Sequence, residues 1–87
     1  MKLYRVITEN KNYQDILVYL MEHKLDATII QANGLWQGRA EKSIVIEIAS
    51  DTPHDESDIG KLVYWLKKYN GQDAVMLQII DADIRLM

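Results

Sequence analysis

The sequence predicts an α+β domain of element order βαββαβ, on three observations. Four stretches alternate or run apolar as strands do, two stretches repeat apolar residues at helical spacing, and turn-forming residues fall between them. At 87 residues the chain is one domain, 1–87, whose core is marginal alone because so short a chain leaves much of its surface wet.

The first strand is expected over residues 2–8, where Leu3, Arg5 and Ile7 alternate with Tyr4, Val6 and Thr8. Residues 9–12 offer turn chemistry and an asparagine cap, and Tyr13, Ile16, Leu17, Leu20 and Met21 then mark a helix of about three turns. Residues 27–31 and 43–50 are the second and third strands, antiparallel through the hairpin between them. Thr52 caps the second helix, Pro53 takes its first position, and Asp55 and Glu56 suit the positive end of its dipole. Ile59, Leu62, Val63 and Leu66 form its buried stripe, Trp65 packs at the stripe's boundary, and Asn70-Gly71 ends it. Residues 74–80 are the fourth strand, and Ile84 with Leu86 continue as a short edge segment. Right-handed βα crossovers place both helices on one face of a four-stranded antiparallel sheet, the ferredoxin-like arrangement. That fold hosts many functions and names none.

Composition narrows the classes. Ten basic against thirteen acidic residues leave a net charge of −3, a poor balance for gripping phosphate backbones, so no nucleic-acid partner is expected. No apolar run approaches the roughly 20 residues of a membrane span, residues 1–5 lack the apolar core of a signal peptide, and cysteine is absent. A soluble, cytoplasmic protein with no membrane partner is the expectation.

Two features carry the functional reading. If Ile44, Ile46 and Ile48 face the helices, then Val45, Met76 and Ile80 occupy the other face, which is too apolar to be left in water. Self-association through that face and the hairpin, as a homo-oligomer, is expected. The second feature is the stretch 32–43, where Gly34 and Gly38 flank Trp36 and a polar run follows. A bent or bulged hairpin is expected there.

The element order, together with Trp36-Gln37-Gly38, Glu41 and the strand at 44–48, resembles the trimeric group that holds the PII signalling proteins and the CutA-type proteins. The hairpin is similar to their Trp-x-Gly hairpin, and Tyr69-Asn70-Gly71 faintly to their His-Pro-Tyr segment. The resemblance implies a trimer with small-molecule sites in clefts between subunits, near the base of this hairpin. The connection between the central strands is much shorter than the PII effector loop, and no histidine or cysteine stands where a CutA-type metal site needs one.

The expected ligand-binding set is Gln31, Asn33, Trp36, Gly38, Arg39, Lys42 and Gln78. Trp36 stacks on a planar ring, Arg39 and Lys42 neutralise an anionic or nucleotide-like ligand, and the amides bond polar edges. The competing reading of Trp36 is an interface aromatic, and of Arg39 and Lys42 a solvated hairpin tip. Glu47 and Glu41 are read as cross-strand partners of lysine or arginine. His23 and His54 have no metal-spaced companion, Asp81 and Asp83 are too few for a cation, and neither a metal nor a cofactor is expected. Ser43, Ser50 and Ser57 lack a base, and no nucleophile elbow or phosphate loop is present, so the chain is expected not to be an enzyme. The function expected is therefore a non-catalytic binder or sequestering protein for a nucleotide-like signal. The alternative is a protein-interaction module, regulatory or a phage-encoded inhibitor, that takes no small ligand and pairs a partner strand through its sheet edge.

Overall fold

The computed structural model describes residues 1–51 and 53–87, with the side chains of residues 53–55 outside the description. The order is β1 (Lys2–Glu9), α1 (Tyr13–Glu22), β2 (Thr28–Trp36), β3 (Arg39–Ser50), α2 (Pro53–Asn70) and β4 (Met76–Asp81). The four strands form one antiparallel sheet in the order β2-β3-β1-β4. This is the ferredoxin-like α+β fold that the element order predicts. Among the described residues no helix is long and apolar enough to cross a membrane.

Alternation decides the faces. Tyr4, Val6 and Thr8 on β1 and Ile44, Ile46 and Ile48 on β3 are buried, in one cluster with Ile16 and Leu20 of α1 and Ile59, Leu62 and Leu66 of α2. Both helices thus cover the same side of the sheet. Met21, expected in the α1 stripe, is instead 69% exposed, in the last turn of the helix.

The helix ends follow backbone rules more than side-chain caps. Asn12 precedes α1 in the left-handed region at φ 56° and makes no side-chain cap bond; its amide donates instead to Asn70 Oδ1 at 3.0 Å. The expected asparagine cap is therefore corrected to a tie between the start of α1 and the end of α2. Gly71, at φ 63°, closes α2 as expected: the Gln72 N–H returns to the Lys67 carbonyl at 3.0 Å. The cap expected at Thr52, the charge of Asp55 and the ring of His54 lie outside the described residues.

The hairpin differs from expectation. The β2–β3 ladder runs without interruption from Thr28↔Glu47 to Trp36↔Arg39, so there is no bulge. Residues 32–36 and 39–42, expected as connection, are strand, and only Gln37 and Gly38 turn. Both turn residues have positive φ, 49° and 77°, as a two-residue type I′ turn requires. At the other end β4 starts two residues later than expected, at Met76. Beyond Asp81 the Ala82 N–H reaches back to the Met1 carbonyl at 3.0 Å, and among the described residues the edge strand expected at Ile84 and Leu86 is not formed.

Outside the core, four rings stack across the helix layer. His23 lies on Tyr19 at 3.9 Å, Tyr19 on Trp65 at 4.5 Å, and Trp65 on Tyr69 at 4.9 Å between centroids. The Tyr69 hydroxyl donates to Asp15 Oδ2 at 2.9 Å, which ties α2 to α1 and holds the phenol above the usual tyrosine range.

Two predictions follow from these local structures. Gln37→Asn places a residue suited to positive φ in the turn and is expected to raise stability by about 0.5 kcal/mol in denaturant titration. The raised Tyr69 pKa means that the Tyr69–Asp15 tie is complete below about pH 10 and is lost as pH climbs through the folded-state value. Melting temperature is accordingly expected to fall more steeply above about pH 10 in the parent chain than in Tyr69→Phe.

Candidate functional site

The uncovered face of the sheet carries Leu3, Arg5, Ile7 and Glu9 of β1, Glu41, Ser43, Val45 and Glu47 of β3, and Met76, Gln78 and Ile80 of β4. β2 adds Ile30, Ala32 and Trp36. Arg5 is the polar centre of this apolar surface. Its Nε and Nη2 donate to Glu47 Oε2 at 3.0 and 2.8 Å, and its Nη1 donates to Gln78 Oε1 at 3.3 Å, so one guanidinium clasps three strands. The cross-strand reading of Glu47 is met by this pair.

A concavity of about 630 Å³ opens at one end of that face. Its cause is a mismatch of strand lengths. β1 stops pairing at Glu9↔Ser43, while β3 and β2 run on as a two-stranded arm to the turn. The notch left between the arm and the 72–76 segment is lined by Ile7, Glu9, Trp36, Glu41, Asp73 and Met76, with Thr8, Ser43 and Gln72 at its base. That volume lies within the range of about 300–1,000 Å³ typical of small-molecule sites.

A hydrogen-bonded chain fixes the base. Gln72 Oε1 accepts from the Thr8 hydroxyl in a short bond and from Asn70 Nδ2 at 3.1 Å, and Asn70 in turn accepts from Asn12. Thr8 and Asn70 are buried, and every buried side-chain polar atom among the described residues has a partner. Glu9 is held by Lys11 Nζ at 2.8 Å. Three carboxylates, Glu9, Glu41 and Asp73, line the notch, and among the described lining residues there is no lysine, arginine or histidine.

The anticipated residues separate on this geometry. Trp36, 56% exposed, lines the notch, and its pair partner Arg39 shares its side of the arm. Gly38 is in the turn. Gln31, Asn33 and Lys42 alternate onto the opposite side, the one that carries Ile44, and Gln78 is engaged by Arg5. One subunit therefore does not bring all seven together. Glu9, Glu41, Asp73 and Gln72 are the lining residues that sequence reasoning missed as a group. Carrying the two-residue period back from Ile44 would have put Glu41 beside Trp36, but nothing local announces the 72–76 wall.

No family model matches the chain, and no curated protein matches it in sequence. Solved structures do match in fold. A phage SAM lyase in its apo state is 15% identical, with 98% of this chain and 92% of that chain covered at a TM-score of 0.65. The PII-like protein CutA from Nostoc sp. PCC 7120, also apo, is 13% identical, with 95% and 82% covered and a TM-score of 0.62. A functionally unknown protein from Pediococcus pentosaceus is 13% identical, with 99% and 95% covered and a TM-score of 0.60. The likeness to the PII/CutA-type group thus holds for the fold.

One expectation is overturned. The chain was expected not to be an enzyme because it carries no catalytic motif, yet an enzyme, the SAM lyase, has this fold over nearly the whole length. On this fold, absence of a nucleophile elbow or phosphate loop is no argument against catalysis.

Gln72→Ala leaves the Thr8 hydroxyl and the Asn70 amide short of a partner at the base of the notch. It is expected to cost about 1–3 kcal/mol in chemical denaturation, well above a surface substitution such as Lys67→Ala.

Proposed function

We propose that this protein is a homo-oligomer that binds a small nucleoside-type molecule carrying a positive charge, in the notch beside Trp36, and cleaves it. The observation that carries the reading is the composition of the notch: an aromatic ring and apolar walls with three carboxylates, of which Glu9 is paired with Lys11, and no described cation among the lining residues. An indole face takes a nucleobase or a cation, and carboxylates at the rim of a partly apolar notch attract positive charge more strongly than they would in bulk water.

S-adenosylmethionine, the compound in the name of the SAM lyase that shares the fold, has both features, an adenine ring and a sulfonium centre. Cleaving a carbon–sulfur bond of a sulfonium returns the electron pair to the positively charged sulfur, which leaves as a neutral thioether, while an oxygen of the substrate's own carboxylate bonds to the carbon it leaves and closes a lactone. Such a leaving group needs no acid. A site of this kind therefore works by holding charge and conformation, which suits a chain without a nucleophile motif. In this reading Trp36 stacks on the base, and Glu41, presented from the two-stranded arm, faces the sulfonium. Gly38 lets the turn approach the ligand, and Arg39 meets the ligand's carboxylate. Gln31, Asn33, Lys42 and Gln78 stay in the proposal only as contributions across a subunit boundary. The oligomer, for which the likeness to the PII/CutA-type group favours three subunits, is supported by the apolar face around Arg5, where Ile30 and Met76 are 44% and 46% exposed.

The test is incubation of purified protein with S-adenosylmethionine, followed by chromatography and mass spectrometry. Release of a thioether nucleoside is expected, slowed about tenfold or more by Glu41→Gln and by Trp36→Ala, equivalent to at least about 1.4 kcal/mol each. No cleavage, together with no thermal shift from S-adenosylmethionine or adenosine, would sink the reading. A larger thermal shift from ATP than from S-adenosylmethionine would reverse the sign of the ligand and give Arg39 and Lys42 the leading role.

A further inference from the structure

The sequence sets two rows of side chains at intervals of four: Asp15, Tyr19 and His23 along α1 and its end, Trp65 and Tyr69 on α2. Residues four apart share one side of a helix, so each row is continuous. The rows join where Tyr19 lies on Trp65, at 4.5 Å with 28° between the ring planes. Tyr19 and Trp65 pack against the core, while Tyr69 ends the stack at the surface, 50% exposed. None of these residues lines the notch, and the proposed cleavage uses none of them.

The rings differ in where their protons can go. The Tyr69 hydroxyl donates to Asp15 Oδ2 at 2.9 Å, the reach at which a base takes a proton. The Tyr19 hydroxyl has no acceptor among the described residues, and burial with the nearby charge of Asp58 favours its neutral form. Trp65 Nε1 has no protein acceptor among the described residues and is not a buried orphan, so it meets solvent. A phenol that sheds its proton as it loses an electron is a far better electron donor than one that keeps it. Tyr69 is the phenol of the stack with a carboxylate outlet, and it is also the ring best aligned with Trp65, at 4.9 Å and 12°.

We propose that Trp65, Tyr69 and Asp15 form a one-electron relay that carries an oxidising equivalent from the indole to a surface phenol. The oxidant is a one-electron radical of the azidyl or peroxyl class, arriving from solution. It takes one electron from the Trp65 ring and is reduced to its anion, and the Nε1 proton goes to water. Tyr69 then gives one electron to Trp65 while its hydroxyl proton crosses to Asp15 Oδ2, and the indole nitrogen takes a proton back from water. The products are intact Trp65, a Tyr69 phenoxyl radical and a neutral Asp15 carboxyl. A soluble thiolate or ascorbate-type reductant gives one electron to the exposed phenoxyl, Asp15 returns the proton, and the reductant leaves as its own radical. At the other end of the stack His23 is an imidazole, much harder to oxidise than a phenol, so the relay empties at Tyr69.

Pulse radiolysis with the azidyl radical tests the relay, in Trp36→Phe protein so that Trp65 is the sole indole. The indolyl absorption is expected to decay as the phenoxyl absorption grows, at a rate independent of protein concentration and slower in heavy water. Tyr69→Phe is expected to slow that growth about tenfold or more, and so is Asp15→Asn, which keeps the side chain's size and loses the base. Near-ultraviolet circular dichroism of the stack is expected to be unchanged in both, which separates lost chemistry from lost packing. Should Asp15→Asn disturb the stack, Asp15→Glu replaces it, expected to retain the parent rate. Should Trp36→Phe fail to melt cooperatively, the parent chain serves, its indolyl decay expected in two phases of which the variants lose the faster. Phenoxyl growth at the parent rate in Tyr69→Phe or in Asp15→Asn overturns the relay. Growth that scales with protein concentration overturns it too, because the electron then crosses between molecules.

Discussion

Two helices can cover only one side of a sheet, and in this protein β3 determines which side. It lies between β2 and β1 and presents Ile44, Ile46 and Ile48 to both helices, while Val45 and Glu47 stand on its other side. A one-residue slip of β3 would carry all three isoleucines into water, so the register is set by the core itself. Every other assignment descends from it. Tyr4 and Val6 are inside because they pair with Ile48 and Ile46, and Arg5 is outside because it pairs with Glu47. The uncovered face is thus a direct product of the covered one.

The notch is a product of length. β3 has twelve residues and β1 has eight, and the four-residue excess becomes the arm that overhangs the end of β1. A two-stranded arm has few buried contacts to hold it, so it depends on the tight turn at Gln37-Gly38 and on the unbroken ladder. The wall opposite is anchored differently, by the chain of amides and hydroxyl from Asn12 through Asn70 and Gln72 to Thr8. One side of the notch therefore rests on backbone pairing and the other on side-chain bonds that reach both helix ends.

Much of the fold was legible because it is written in periods of two and of 3.6. The six elements, their order and the apolar face around Val45, Met76 and Ile80 can be read from alternation alone. The hairpin was misread for a physical reason. Gly34 has no side chain to mark a face, and Gln37 is not a residue that signals a type I′ turn, so nine strand residues looked like connection. The site was less legible still. Its walls come from residues 7–9, 34–37, 41–43 and 72–76, which topology brings together and no local pattern links. Trp36 was identifiable as a large residue without a core to join. Of the carboxylates around it, Glu41 was read as a pairing charge, Glu9 as turn chemistry and Asp73 was given no role, and the absence of a catalytic motif was given more weight than this fold warrants.

The four-ring stack on the helix layer makes the two tryptophans of the chain unequal reporters. Trp65 is sandwiched between Tyr19 and Tyr69, 4.5 and 4.9 Å away, while Trp36 stands in solvent at the hairpin. Energy absorbed by either tyrosine passes readily to an indole at such separations. Excitation of tyrosine therefore illuminates the helix layer through Trp65, whereas selective indole excitation also samples the arm. The protein thus has a built-in optical contrast between its scaffold and its cleft.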